Sequence, residues 1–150
     1  MPKNVAAILV VLSAAIATGA VVWAQDSPTQ LLPDQIKWAA LPSDVAPGAK
    51  WMLLVGPLDQ PVHYTLRVHL DKGGIVTPHT HPDNRYVTVL AGEVYAGMGD
   101  TVSEATSKRF PAGSFFVVPA GHVHYSWAKD GEVTYQESGI GPTSNTYVKK

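Results

Sequence analysis

Beyond Pro61 the chain is punctuated by turn-forming residues at a nearly even beat. They stand at Asp71-Lys72-Gly73-Gly74, Pro82-Asp83-Asn84, Ala91-Gly92, Phe110-Pro111-Ala112-Gly113, Pro119-Ala120-Gly121 and Asp130-Gly131. Signals that recur every ~8–12 residues leave room only for short elements, and such a beat belongs to β-sandwiches and β-barrels. The stretches between the signals agree. Val62 to Leu70 alternates strictly, with Tyr64, Leu66, Val68 and Leu70 on one face and His63, Thr65, Arg67 and His69 on the other. A strand follows from Ile75 to His81, and another from Arg85 to Leu90. Ala91-Gly92 then predicts a turn, with Glu93 to Met98 returning as its hairpin partner. Asp100 to Ser107 reads as a polar loop. Ser114 to Val118 is apolar and short enough for a buried strand, and His122 to Ala128 reads as the next. Asp130-Gly131 is a further hairpin signal before the alternating Val133 to Glu137. The sum is about nine or ten strands with no helical periodicity, and a closed barrel would also remove exposed strand edges.

Ahead of this region the chain changes character twice. Lys3 is the only charge before an uncharged apolar run from Val5 to Ala24, which ends Val22-Trp23-Ala24. A short charged start, an apolar core and small residues at minus three and minus one describe a cleaved export signal, here residues 1–24. An uncleaved anchor is the rival, since ~20 apolar residues span a bilayer. With no twin arginine, the general secretory route and a periplasmic or secreted product are expected. Residues 25–50 form a proline-rich extended lead-in, and 51–150 form the barrel domain. Trp38 and Trp51 are expected to anchor this lead-in against the barrel exterior.

Charge and cysteine narrow the partners. The formal charge is −1 for the whole chain, and loss of Lys3 makes it −2. No basic patch suggests nucleic acid, and no stable membrane insertion is expected once the signal is removed. With no cysteine there is neither a disulfide nor a zinc–thiolate site.

Histidine is where chemistry is suggested. His79 and His81 lie two apart in an extended stretch, so their side chains share a face and can converge on one metal ion. The stretch from Gly113 to His124 can supply a third imidazole. The spacing around these histidines resembles the cupins. Five residues separate Gly73 from His79-x-His81, and Gly92 closes the first cupin motif at its usual distance. Gly113, Pro119, Gly121 and His124 fall on the second. The resemblance covers most of Gly73 to Ala128 and implies an all-β fold, the cupin double-stranded β-helix or jelly-roll barrel. Two positions depart from the pattern. Arg85 stands where the family usually places a glutamate ligand, and Ala128 stands where the second motif ends in asparagine. A guanidinium has no lone pair to offer a cation. The resemblance therefore implies a three-histidine site of His79, His81 and His124, holding one divalent transition metal. Imidazole donors suit zinc, copper, iron and nickel, the resemblance adds manganese, and the choice among iron, zinc, copper and manganese stays open. The plainer alternative is three interior polar residues around a water cluster.

Around that site, Arg85 is either a bidentate clamp for a substrate carboxylate or half of an internal ion pair with Asp83 or Glu137. Glu137 is expected to be the carboxylate that reaches the cavity from the last long strand, which makes it a candidate general base. His122 is expected at the mouth as a substrate contact. Tyr86 is a second substrate contact or simply core. His69 is either a partner orienting a ligand imidazole or an exposed strand histidine. The implied protein is an exported, homodimeric metal-dependent enzyme, dioxygenase-like or else a lyase or isomerase. Its ligand would be a small anionic or dicarbonyl compound. A metal- or metabolite-binding module without turnover is the alternative. A metal-free jelly roll using Trp51 and Trp127 as a platform is the third.

Overall fold

The structure is a computed structural model that describes residues 29–149, so the expected export signal lies outside the described residues. Ten strands are present: β1 (Ala39–Ala40), β2 (Ala49–Val55), β3 (His63–Leu70), β4 (Ile75–Thr80), β5 (Arg85–Met98), β6 (Ser107–Pro111), β7 (Phe115–Val118), β8 (His124–Trp127), β9 (Val133–Ile140) and β10 (Thr146–Tyr147). Two single 3-10 turns, Pro33–Gln35 and Glu104–Thr106, are the helical elements among the described residues. None is long and apolar enough to cross a membrane.

All strand pairs are antiparallel, and the ladder runs β1-β2-β3-β9-β5-β8-β4-β10 with β6 and β7 added on β5. Among the described residues it does not run full circle: β1 ends one side and β10 the other. The expected closed wall is therefore an open one. The alternation predicted for β3 is observed, with Tyr64, Leu66, Val68 and Leu70 buried. Residues directly opposite across a ladder share a face. Leu66 pairs with Glu137 and Val68 with Tyr135, so β9 turns Glu137 and Tyr135 into the same interior. Trp51 pairs with Val68 and packs on the core from within, not against the exterior as expected.

Three other expectations are corrected. Arg85 to Met98 is one strand of 14 residues, not a hairpin. Its first half pairs with β9 and β7 and its second half with β6 and β8, so it passes from one sheet to the other. The chain bends where a bulge between Val89 and Ala91 meets Gly92, whose φ is +73°. Gly92 is required there, because a Cβ would stand 2.1 Å from the Glu132 carbonyl oxygen. The true hairpin partner of β5 is β6, which lies in the segment read as loop and turn. The apolar run Phe115–Val118 is buried on one face only: Val118 lies in the core and Phe116 packs against it, whereas Val117 and Phe115 are exposed, Phe115 at 61 %, and β7 pairs only with β5. Asp130-Gly131 does turn the chain, but β8 and β9 lie in different sheets and do not pair.

Candidate metal centre

The three histidines of interest do meet. His79 lies on β4, His124 opens β8, and the two are cross-strand partners. A register shift between Val76 and His79 sets this pairing, and His81 follows just past the end of β4. All three are buried. Their ring centroids are 4.2 Å apart for His79–His124, 4.8 Å for His81–His124 and 6.1 Å for His79–His81.

Each ring is held by the same device. Nδ1 of His79 donates to the Thr77 carbonyl at 2.8 Å, Nδ1 of His81 to the Asp83 carbonyl at 2.7 Å, and Nδ1 of His124 to the His122 carbonyl at 3.0 Å. A carbonyl oxygen only accepts, so each Nδ1 carries the proton and each Nε2 keeps its lone pair. Burial enforces the neutral state. It pushes His79 down to about 3, with the neighbouring His124 adding to the effect. It pushes His81 down to about 4, assisted by Arg85, and it lowers His124 as well. His81 Nε2 is buried with no hydrogen-bond partner. An orphaned lone pair is costly unless something electrophilic meets it.

The donor set therefore fits a metal ion, though not as a finished cage. Among the described residues no group of three or more His, Cys, Asp or Glu side chains already stands closed around such an ion. Three imidazole nitrogens at ~2.1 Å from one ion put ring centroids roughly 4.5–5.5 Å apart. Closure thus requires the His79–His81 pair to draw in from 6.1 Å by about 1 Å.

Arg85 opens β5 and is buried beside this trio. It is not a free clamp. Nη1 donates to Glu137 Oε2 at 3.0 Å, and Nη2 donates to Thr143 Oγ1 at 2.9 Å and Asn145 Oδ1 at 2.8 Å. Both hydrogens of Nη2 are thus committed. Nε is buried without a hydrogen bond, 3.9 Å from Asp83 Oδ1. Burial works against the charge on Arg85, but Glu137, Tyr64 and Asp83 outweigh it and raise its pKa. Asp83 in turn accepts from Tyr64 Oη and from Thr143 Oγ1, both at 2.5 Å. Burial, followed by this bond to Asp83, raises the Tyr64 phenol well above its ordinary value.

Not every expected contact reaches the interior. Arg85 and Val87 point inward on β5, so Tyr86 between them points out, opposite Val117 and 45 % exposed. It is not core, and it lines an outer cleft with Pro82, Asn84 and Ile140 rather than the cavity beside the histidines. His122 is exposed, with Nδ1 donating to the Ala120 carbonyl at 3.2 Å. His122 acts on the site only through its backbone carbonyl, which holds His124. His69 faces outward and bonds Thr134 Oγ1 at 3.0 Å. The tail, expected to be an edge strand or loose, is instead part of the site. Tyr147 pairs with His79, and their rings lie 5.4 Å apart. Thr143, Asn145 and Tyr147 recur every second residue, and that alternation is the one signal in the amino-acid sequence that marks this face.

A cavity of about 240 Å³ adjoins these groups. His79, Arg85, Glu137, Ser126 and Asn145 line one part of it, while Trp51, Leu58, Leu66 and Val68 line another.

The sequence profile of the cupins matches residues 57–148. The chain belongs to the cupin family. Among curated cupin-like relatives, germin-like protein 3-8 of Oryza sativa subsp. japonica is 39 % identical over 66 residues, which is 43 % of this chain and 29 % of that protein. The cupin thus matches well under half the length of that relative. Among solved structures, the polyketide cyclase RemF from Streptomyces resistomycificus superposes with a TM-score of 0.67 at 14 % identity, over 83 % of this chain and 89 % of the other. An oxalate oxidase superposes with a TM-score of 0.54 at 23 % identity, over 67 % and 55 %. At such identities the likeness is one of fold alone.

Proposed function

We propose that this cupin is an exported, metal-dependent enzyme acting on a small carbonyl or carboxylate compound, with His79, His81 and His124 as its metal ligands. One observation carries the reading: three buried imidazoles whose Nδ1 protons are spent on backbone carbonyls, with the Nε2 of His81 left buried and unpartnered. When bound, a divalent iron, zinc, copper or manganese ion would supply Lewis-acid polarisation of the substrate carbonyl and, for the redox-active metals, access to oxygen chemistry. The protein's own groups would do the rest. Glu137 Oε2 is held by Arg85, which leaves Oε1 as the oxygen to take a proton alpha to that carbonyl. Arg85 positions Glu137, and Thr143 and Asn145 keep the guanidinium in place.

A module that binds without turnover is the second reading, favoured by the ion pair at 3.0 Å, since it already commits to Arg85 one oxygen of the only carboxylate that lines the cavity among the described residues. The test begins with elemental analysis of purified mature protein. About one equivalent of metal is expected for the wild type and a large loss for His81→Ala. Less than a tenth of an equivalent in the wild type would end the metal reading. Turnover assays on carbonyl and carboxylate panels, with Glu137→Gln beside the wild type, separate enzyme from module.

A further inference from the structure

The cavity beside the histidines is built for an occupant of a particular kind. Trp51 on β2, Leu66 and Val68 on β3, and Leu41 and Leu58 in the flanking loops give it an apolar wall. The polar groups come from other elements: His79 on β4, Ser126 on β8, Glu137 on β9, Arg85 at the start of β5, and Asn145 in the tail. A ligand that fills the space must have an apolar body and a polar head. The volume, about 240 Å³, lies just below the ~300–1,000 Å³ of typical small-molecule pockets. Such a space suits a molecule of about ten non-hydrogen atoms, packed at the density of a protein interior. A two-carbon acid would leave the Trp51, Leu66 and Val68 surfaces without a partner.

The charges around the site restrict the head group further. Arg85 has a carboxylate at 3.0 Å in Glu137 and a second, Asp83, at 3.9 Å. One guanidinium and two carboxylates sum formally to −1. A divalent ion on the three imidazoles changes that sum to +1. One negative charge then closes the count, whereas a dianion overshoots it and leaves a buried excess charge. The positive charge that the sequence suggested Arg85 would lend to an anion is already used within the protein.

From the wall and the charge count together, and resting on the metal reading above, we infer that the site takes monoanions with an apolar body, such as arylacetates or branched-chain acids and their enolisable keto forms. Short dicarboxylates are not its substrates. Phenylacetate is a suitable probe of head and body together. Acetate keeps the head alone, phenylacetamide keeps the body without the charge, and oxalate is the short dianion.

The experiment uses full-length mature protein loaded with Zn²⁺, which is redox-inert. Metal content is measured on each sample, and binding is followed by calorimetry. Phenylacetate is expected to bind at least tenfold more tightly than acetate, as burying several carbons in an apolar pocket requires, and at least tenfold more tightly than phenylacetamide or oxalate, because a single negative charge closes the charge count. Val68→Phe, which fills the apolar part, is expected to abolish the advantage of phenylacetate over acetate while leaving metal content unchanged. Oxalate binding as tightly as phenylacetate would overturn the inference, as would equal binding of acetate or phenylacetamide. These wild-type comparisons decide the matter even if Val68→Phe does not fold. Failure to retain Zn²⁺ would remove the metal reading as well, and the metal assay reveals that separately from any ranking of ligands.

Discussion

Arg85→Met is the most informative single change in this protein. The guanidinium is buried and holds Glu137, Thr143 and Asn145 through three hydrogen bonds, with Asp83 at 3.9 Å. Methionine roughly keeps the length of the side chain but leaves Glu137 without its cation. Breaking a buried ion pair from one side costs about 3–5 kcal/mol, because the remaining charge stays desolvated. For about 120 folded residues the unfolding entropy is near 0.25 kcal/mol/K, so Tm should fall by roughly 10–20 °C. Arg85→Met with Glu137→Leu should recover much of the loss, since an apolar pair in place of a buried ion pair is often neutral. Urea and thermal denaturation of metal-free protein, followed by circular dichroism, measure all three. A single variant within ~1 kcal/mol of wild type, or a double variant no better than the single, would refute the reasoning.

Two further outcomes test the same interior. Metal-free protein should lose about 3 kcal/mol between pH 7.5 and 5.5, because His79 and His81 stay neutral when folded, at about 3 and about 4, but take up protons near 6.5 once unfolded. Stability is therefore complete above the unfolded pKa and is lost as pH falls below it; a flat urea midpoint over this range would contradict the buried neutral imidazoles. Tyr64→Phe removes one donor from the buried Asp83 carboxylate and should cost about 1–2 kcal/mol by urea denaturation. Metal content should stay at the wild-type level, since the Asp83 carbonyl that orients His81 is backbone.

The division between what was legible in the chain and what was not follows the range of the forces involved. Faces of strands are set by a period of two, a local property. The interior set of β3 and the shared face of His79 and His81 could therefore be read directly, and the resemblance to the cupin motifs brought His124 to them. Even the clamps on the three Nδ1 atoms are local, each reaching a carbonyl two residues away. The sequence by itself thus determined the cupin barrel and its histidines. Local signals were ambiguous wherever a partner strand decides the outcome. Ala91-Gly92 suits a reversal or a bend equally well, and pairing with β9 on one side and β8 on the other made it a bend. Phe115–Val118 is apolar enough for a strand buried on both faces, but with β5 as its sole neighbour it is an edge strand that buries Val118 and Phe116 and leaves Phe115 and Val117 exposed. The fate of Arg85 was decided over the longest range, by Glu137, Thr143 and Asn145, which lie 52, 58 and 60 residues away. Only the tertiary fold could choose a buried ion pair over a free clamp, because a charge sealed from water is governed by whichever opposite charge packing brings within reach.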